Sequence, residues 1–191
     1  YTRRAPDEFR TGLGWPECDA EGRWLEARFG ALSVVSLYLP SGSSGPERQA
    51  VKFDFLARLA GPLRAMQASC RDYILCGDWN IAHQPIDLKN WRANQDHSGF
   101  LPEERAWLDA LFGPLGWVDA FRAVNPDPDQ YTWWSHRGRA RDNNVGWRID
   151  YQVVTPGLAA KIGGAAIIPE PRFSDHAPLI IDYDYPFSPI G

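Results

Sequence analysis

"YILCGDWN", residues 73–80, is a short apolar strand that ends at a glycine and then presents a carboxylate and an amide. Side chains two residues apart along a strand face the same way, so Asp78 and Asn80 can project toward one point. Gly77 permits a turn there, or the close approach of another segment. A carboxylate beside an amide suits a hard cation or a hydrolytic water. A turn in which Asp78 and Asn80 bind their own backbone explains the same residues equally well.

The length and composition predict one soluble globular domain. The chain has 191 residues, of which 44% are hydrophobic and 23% charged, and its apolar runs are far shorter than the ~18 residues of a membrane span. The net charge of −4 excludes a polyanion binder that acts by overall charge, so basic groups must be concentrated locally. Arg137, Arg139 and Arg141 alternate in one such run, although most charge runs are solvated loops. The odd number of cysteines predicts reduced thiols and a cytoplasmic location.

Apolar patterning predicts more strands than helices, with long loops between them. An amphipathic helix is expected over residues 47–67, where Pro62 should end or kink it, and a second helix is expected to begin near Pro102. The predicted strands cover residues 31–39, 73–77, 148–154 and 177–185. This order favours a mixed sheet with helices packed on it over repeated βαβ units.

Four further polar residues precede, interrupt or end predicted strands. Asp175 and His176 directly precede the last strand, where they suit a metal ligand beside a general acid or base. Asp150 lies inside an apolar strand and needs a partner such as an imidazole. Tyr38 ends a strand beside a glycine loop, where a core or rim aromatic is a simpler interpretation than a catalytic group. A serine hydrolase is excluded, because the adjacent residues 174–176 cannot form a nucleophile–base–orienter chain and no G-x-S-x-G elbow exists.

Five motifs in this order and spacing resemble the exonuclease III family of apurinic/apyrimidinic endonucleases. They are GDWN (77–80), FLPEER (100–105), YTWWS (131–135), NVGWRIDY (144–151) and FSDHAPL (173–179). The wider endonuclease/exonuclease/phosphatase superfamily shares only the first and last of them, whereas FLPEER and W-R-I-D are specific to the DNA-repair branch. The resemblance covers essentially the whole chain. It implies an α+β, DNase I-like fold, a four-layer sandwich of two packed mixed β-sheets flanked by helices.

Two family segments are absent from the printed sequence. The family begins with an N-x-N-G strand and a Q-E segment whose glutamate is the main metal ligand, and neither is found here. We therefore expect residues 1–191 to be the C-terminal three-quarters, roughly, of a single nuclease domain that lacks its first strands. We also expect this stretch to be inactive on its own.

The resemblance assigns roles to the strand-end residues. It implies that Asp78 activates the attacking water, that Asn80 steadies the phosphate, and that the Tyr38 hydroxyl approaches it. His176 would contact the phosphate or a metal and be held by Asp150. The implied cofactor is Mg²⁺ or Mn²⁺. The implied metal ligands, besides the absent upstream residues, are Asp78, Asn80, Asp175 and His176.

The resemblance also implies a DNA surface. Trp133, Trp147 and Ile149 match residues that pocket a base-free deoxyribose, for which indole faces are well suited. Asn94 matches a phosphate contact, and His97 lies in a loop that lines the path to the sugar. Arg137, with Arg139 and Arg141, would follow the phosphates and set affinity rather than sequence choice. The implied partner is double-stranded DNA with abasic sites or 3′ ends, bound by a monomer that does not interact with a membrane.

The expected function is a DNA-repair phosphodiesterase that cleaves 5′ to abasic sites and processes 3′ ends as a 3′→5′ exonuclease. One alternative is a superfamily phosphoesterase that acts on a lipid or a soluble phosphoester. The other is a non-catalytic fragment that only binds DNA. Competition by duplex DNA distinguishes a phosphoesterase for other esters from the DNA-repair enzyme. Comparison of DNA binding with turnover distinguishes a fragment that only binds DNA.

Overall fold

The computed structural model describes residues 1–187, which form four helices and ten strands. The helices are α1 (Pro16–Ala20), α2 (Pro46–Gln67), α3 (Pro102–Phe112) and α4 (Pro156–Ala159), with single 3₁₀ turns at Pro85–Asp87 and Trp91–Asn94. The strands are β1 (Glu8–Thr11), β2 (Trp24–Phe29), β3 (Leu32–Tyr38), β4 (Asp72–Asp78), β5 (Val118–Asp119), β6 (Trp133–Trp134), β7 (Gly146–Trp147), β8 (Asp150–Val154), β9 (Ile162–Ile167) and β10 (Leu179–Tyr183). None of the helices within residues 1–187 is long and apolar enough to cross a membrane.

Six strands form the central sheet, in the order β1-β2-β3-β4-β8-β5. Strands β3 and β4 are parallel because α2 returns the chain between them, and the other neighbours are antiparallel. Strands β9 and β10 form a separate antiparallel pair, as do β6 and β7. The mixed sheet with a crossover helix confirms the predicted α+β class.

Helices α2 and α3 cover one face of the central sheet. Leu59 and Leu63 of α2 are fully buried against Val35 of β3 and Leu75 of β4, and α3 adds Leu108 to the same cluster. Each fully buried leucine of this kind contributes roughly 1.5–3 kcal/mol of apolar burial. This cluster is the main core, and it fixes the strand ends that carry the polar residues.

The β9–β10 sheet packs on the opposite face of the central sheet. Ile74 of β4 and Val154 of β8 are buried there, and Ile162 and Ile181 pack against their cluster. Two sheets thus pack face to face with helices outside the larger one, which confirms the layered DNase I-like arrangement. Toward β1 the same face becomes exposed, and Phe9 retains 62% of its accessible surface.

The sequence predicts that Pro62 ends or kinks α2. The first alternative is wrong, because the helix continues through Pro62 to Gln67. A proline removes one backbone hydrogen bond from a helix interior. Leu59 and Leu63, on either side of Pro62, are fully buried in the main core. Their packing on the sheet outweighs the lost hydrogen bond, since tertiary burial supplies most of a helix's stability in a protein.

A buried ionic network joins the long loops to the sheet. Arg148, which is fully buried, donates through Nε to Asp87 Oδ1 at 2.8 Å and through a terminal nitrogen to Asp119 Oδ2 at 2.7 Å. Arg122 donates to the same Asp87 oxygen at 2.8 Å. Burial acts to raise the pKa of Asp87, but the two guanidinium groups outweigh it and hold that pKa below its usual range. The W-R-I-D motif is therefore partly structural, because its arginine secures the segment before β8.

Asp87→Asn should lower the free energy of unfolding by about 2 kcal/mol at pH 7, because charge-assisted hydrogen bonds to two arginines are lost. The folded pKa of Asp87 is depressed, so its contribution is present above the unfolded pKa of about 3.9 and is lost as the pH falls through the folded pKa. Urea unfolding of both proteins at pH 7 and below pH 4 measures this. The matched control is Asp142→Asn, whose exposed carboxylate also pairs with two arginines, and it should leave stability unchanged. A difference between wild type and Asp87→Asn that is constant across this pH range contradicts the assignment.

Candidate active site

Three adjacent strands carry polar side chains in one row. Tyr38 at the end of β3 is in register with Asp78 at the end of β4, and Asp78 is in register with Asp150 at the start of β8. Registered residues of neighbouring strands point to the same face of a sheet. Tyr38 keeps 48% of its surface exposed, and the Arg23 guanidinium lies 4.9 Å from its ring centroid. The sheet therefore places one phenol and two carboxylates side by side at the same end of three neighbouring strands. We call these three residues the strand-end row.

The GDWN segment forms a tight turn. Its geometry agrees with both interpretations of the sequence, a turn that binds its own backbone and a strand end that presents a carboxylate and an amide. Asn80 has a positive φ of 52°, and its backbone N–H donates to Asp78 Oδ1 at 2.8 Å while its side-chain amide donates to Oδ2 at 3.1 Å. The same amide nitrogen also donates to the Leu39 carbonyl at 3.0 Å. The turn is thus self-capped, and it also fixes both oxygens of Asp78 at the strand end.

Gly77 is required by the packing of β4 on β3. Its φ is +148°, and a Cβ atom there would lie 1.7 Å from the Leu37 carbonyl oxygen. Any other residue would force the two parallel strands apart just before the turn. The glycine therefore allows the close approach that aligns Asp78 with Tyr38.

Asp150 and His176 are paired, as the sequence predicts. Nδ1 of His176 lies 2.9 Å from Asp150 Oδ2, and both side chains are partly buried. Burial alone would lower the pKa of His176, but the hydrogen bond to Asp150 and the charges of Asp150, Asp78 and Asp175 outweigh it and raise the pKa. The second nitrogen of the ring remains available to donate a hydrogen bond to a phosphate oxygen.

Asp78 has an environment suited to a general base. Burial is the largest influence on its carboxyl group, followed by the charge of Asp150, and together they raise its pKa to about 6 despite the Asn80 N–H. A carboxylate in this range is mostly ionised at neutral pH and is a stronger proton acceptor than an ordinary aspartate. The predicted role of Asp78 therefore has a physical basis in this structure.

Asp175 is held by its own loop. Trp133 Nε1 donates to Oδ2 at 3.0 Å and the Ser174 hydroxyl donates to Oδ1 at 3.1 Å. Burial acts to raise the pKa of Asp175, but these two hydrogen bonds hold it below its usual range. Backbone bonds from Trp134 N–H to the Asp175 carbonyl at 3.1 Å and from Ala177 N–H to the Thr132 carbonyl at 2.7 Å attach this loop to β6.

The residues at the strand ends include oxygen donors of the kind that a divalent metal ion binds. Oxygen donors from Asp78, Asn80 and Asp150 suit a hard divalent cation, and the repulsion between the two carboxylates is relieved by a positive charge. Over residues 1–187, no three histidine, cysteine, aspartate or glutamate side chains are arranged to hold a metal ion. Mg²⁺ is commonly held by one or two carboxylates with water and substrate phosphate completing its shell, so the donor set fits this kind of ion.

The predicted sugar-pocket residues lie together. Trp133 and Trp147 are paired across β6 and β7, and both pack with Ile149 in one apolar cluster that also contains Phe100. Trp133 also forms a backbone bridge with His176. The cluster therefore borders the strand-end row, which is where a pocket beside the scissile phosphate is needed.

The remaining predicted DNA residues lie in loops and short turns, where Asn94 and Arg141 are half-buried and the others are exposed. Asn94 donates to the Asn90 carbonyl at 3.0 Å, and His97 is exposed while its backbone N–H donates to the Asn94 carbonyl. Arg137 is exposed, and Arg139 pairs with Asp142. Arg141 instead binds carbonyl groups of the chain itself.

Sequence reasoning missed a buried pair behind the GDWN turn. Lys52 of α2 and Glu104 of α3 are fully buried with Nζ 2.5 Å from Oε1, and Lys52 also donates to the Asn80 carbonyl at 2.8 Å. The other Glu104 oxygen accepts from the N–H groups of Gly99 and Leu101. A signal for this pair exists in the sequence, since Lys52 falls on the apolar stripe of α2 with Phe55 and the leucines that follow.

Comparison with known proteins gives one consistent family. The model of the endonuclease/exonuclease/phosphatase family matches residues 1–176. The exodeoxyribonuclease of Bacillus subtilis is 39% identical over 180 residues, covering 94% of this chain and 71% of that protein. The DNA repair nuclease APEX1 of Danio rerio is 38% identical over 89% of this chain, which spans 54% of that protein.

Solved structures agree with the sequence relatives. The 3′ phosphatase NExo from Neisseria, bound to a product DNA hairpin, superimposes with a TM-score of 0.88 at 27% identity, over 96% of this chain and 73% of that one. An AP endonuclease from Archaeoglobus fulgidus gives a TM-score of 0.83 at 28% identity. The chain therefore belongs to the endonuclease/exonuclease/phosphatase family, within its exonuclease III group of DNA-repair nucleases.

Proposed function

We propose that this protein hydrolyses DNA phosphodiester bonds 5′ to abasic sites and processes 3′ ends as a 3′→5′ exonuclease. The observation that carries the proposal is the strand-end row of Tyr38, Asp78 and Asp150, with His176 paired to Asp150. In-line displacement at phosphorus needs a positioned nucleophile and donors to the non-bridging oxygens. The strand-end row, with His176, supplies a carboxylate that can position the nucleophilic water and donors for the non-bridging oxygens, all at the same end of the sheet.

Each residue has a distinct task in the proposed reaction. Asp78 orients a water molecule and accepts its proton, which the raised pKa of about 6 favours. His176, whose pKa is raised by the hydrogen bond to Asp150, donates to a phosphate oxygen as negative charge develops on it. The Tyr38 hydroxyl lies at the same end of the sheet and supplies a further donor. Asn80, whose amide hydrogens bind Asp78 and the Leu39 carbonyl, steadies the phosphate indirectly by fixing the Asp78 turn.

A divalent metal completes the proposed site. Members of this family depend on such a metal, and we propose Mg²⁺ or Mn²⁺ here, with Asp78, Asn80 and the predicted Asp175 as its protein ligands. His176 is a metal ligand only in the predicted alternative in which its ring binds the metal instead of the phosphate, because Asp150 occupies its other nitrogen. When bound, the ion offsets the charge that builds on the phosphate. The proposed substrate is double-stranded DNA, bound by a monomer, and the free cysteines are compatible with the reducing cytoplasm in which we propose it acts.

Two alternatives make different predictions for one competition experiment. A soluble phosphodiester reporter is hydrolysed with Mg²⁺ present, and abasic duplex DNA is then added to the same reaction. If DNA is the substrate, the duplex inhibits reporter turnover at concentrations near its own dissociation constant and is itself cut. A phosphoesterase for lipids or soluble esters is indicated by undiminished reporter turnover. A protein that only binds DNA is indicated by duplex binding with neither substrate hydrolysed.

Selectivity between the two DNA activities should depend on His97. Its exposed ring lies in the loop before Gly99, and Gly99 approaches Trp147 of the proposed sugar pocket. An imidazole there hinders an extruded internal abasic sugar more than a frayed 3′ end, so 3′ processing should exceed abasic cleavage. His97→Gly should raise abasic cleavage several-fold and leave 3′ processing nearly unchanged. The exposed neighbour Gln95, changed to glycine, is the control for loop flexibility, and an equal response of both activities to His97→Gly rules out this gating role.

A further inference from the structure

Arg141 clasps both ends of an exposed segment of the site. Its two terminal nitrogens donate to the Ser174 carbonyl at 2.5 Å and to the Pro169 carbonyl at 2.6 Å. The guanidinium carbon lies 4.7 Å from the Trp134 ring centroid, in a cation–π arrangement. A planar guanidinium that forks between two acceptors and stacks on an indole has one well-defined position.

The clasped segment leads directly into the catalytic loop. Residues 169–174 are exposed throughout and connect β9 to Asp175 and His176. The connection is closed at its base by a bond from Ile168 N–H to the Pro178 carbonyl at 2.9 Å. An exposed segment without buried apolar contacts depends on its polar contacts for a fixed conformation. The bond to Ser174 is therefore placed where it can fix the residue before Asp175.

The platform beneath Arg141 is itself rigid. Trp134 is buried, its indole N–H donates to the Asn144 side chain at 3.0 Å, and its backbone N–H donates to the Asp175 carbonyl at 3.1 Å. Arg141 thus stacks on a residue that already holds the catalytic loop from its other side. The segment around Ser174 and Asp175 is therefore hydrogen-bonded both to β6 and to the Arg141 guanidinium.

We propose that Arg141 is a positioning residue for His176 rather than a DNA phosphate contact, an inference that rests on the proposed function. A phosphate could reach only the remaining hydrogens of the terminal nitrogens that already bind Ser174 and Pro169, because Nε is buried. The other arginines nearby differ from it, since Arg139 and Arg172 pair with exposed carboxylates. Arg137 is exposed and is the member of the basic run that remains suited to a phosphate.

The decisive measurements are kcat at saturating abasic duplex and the slope of log Kd against log salt, in the full-length protein. Arg141→Gln should lower kcat by about tenfold, the lower end of what loss of a supporting partner costs an active site, and leave the salt slope unchanged. Arg141→Lys keeps the charge but not the fork, so it should lose kcat in the same way. Arg172→Gln also removes one positive charge, in this case from the clasped segment 169–174 itself, and should keep kcat at the wild-type value.

Loss of a phosphate contact would instead reduce the salt slope by about 0.9. The proposal is overturned if Arg141→Gln reduces the slope with kcat intact, if Arg141→Lys behaves as wild type, or if Arg172→Gln loses kcat equally. Hydrogen exchange of residues 169–177 without DNA tests the clasp separately from activity. Faster exchange in Arg141→Gln but not in Arg172→Gln supports the clasp even if the wild-type protein cuts no DNA, which would refute only the proposed function. Unchanged exchange overturns the clasp itself.

Discussion

Asp78→Asn should lower the rate of abasic-site cleavage by about 10²–10⁴-fold while duplex binding survives, because general-base assistance is typically worth this much. The substitution keeps the size of the side chain, and the Asn80 backbone N–H can still donate to its carbonyl oxygen, while the bond from the Asn80 side-chain amide is lost. What disappears is the carboxylate whose pKa burial and Asp150 raise to about 6. Single-turnover cleavage in magnesium, with binding measured in parallel, separates the two effects.

The control for this substitution is Asp182→Asn, which removes an exposed carboxylate from β10 and should leave the rate unchanged. The wild-type rate should also fall at acidic pH, since only the ionised Asp78 carboxylate accepts a proton. Turnover by Asp78→Asn close to that of the wild type shows that another group activates the water.

Lys52→Met should lower the free energy of unfolding by about 3–5 kcal/mol, because removing one partner of a buried ion pair leaves the other charge uncompensated. Lys52 and Glu104 are both fully buried, and Glu104 would keep only the N–H groups of Gly99 and Leu101 and the Gln49 amide. Burial lowers the pKa of Lys52, and the adjacent Glu104 opposes that shift. Urea unfolding at pH 7 measures the loss.

A second variant distinguishes loss of the pair from loss of packing. Lys52→Met combined with Glu104→Gln removes the stranded charge while the amide oxygen still accepts from Gly99 and Leu101, so much of the stability should return. Lys89→Met, at an exposed pair with Asp129, is the matched surface control and should have no measurable effect. If Lys52→Met is as stable as Lys89→Met, the pair does not hold α2 to α3.

The sequence predicts the placement of the strand-end residues well because the signals are local. Asp78 and Asn80 are separated by one residue, and each of Asp150 and His176 interrupts or precedes an apolar run. Strand periodicity then fixes the side of the sheet on which each lies. The pairing of Asp150 with His176 at 2.9 Å follows once an aspartate inside a strand is required to have a partner.

The parts that sequence reasoning missed are contacts between distant segments. Lys52 and Glu104 are 52 residues apart, and a glutamate in the first turn of a helix is explained by the helix dipole alone. Arg141 belongs to a basic run that, by sequence, is typical of a solvated loop. Only its position over Trp134 shows that its N–H groups donate to carbonyl groups of the chain itself. The course of α2 through Pro62 likewise depends on burial against the sheet, which local propensity does not include.

Single-turnover incision of a 5′-labelled duplex with one abasic site, with binding of the same duplex measured alongside, tests the central claim most directly. With magnesium, the full-length wild-type protein should first release a labelled fragment that ends in a 3′-hydroxyl immediately 5′ to the abasic site, before its 3′→5′ exonuclease activity shortens that fragment. His176→Ala should bind the duplex with similar affinity and cut it at least about 100-fold more slowly. A wild-type protein that binds the duplex and leaves it intact, or a His176→Ala variant that cuts at the wild-type rate, contradicts the assignment of this strand-end cluster as the hydrolytic site.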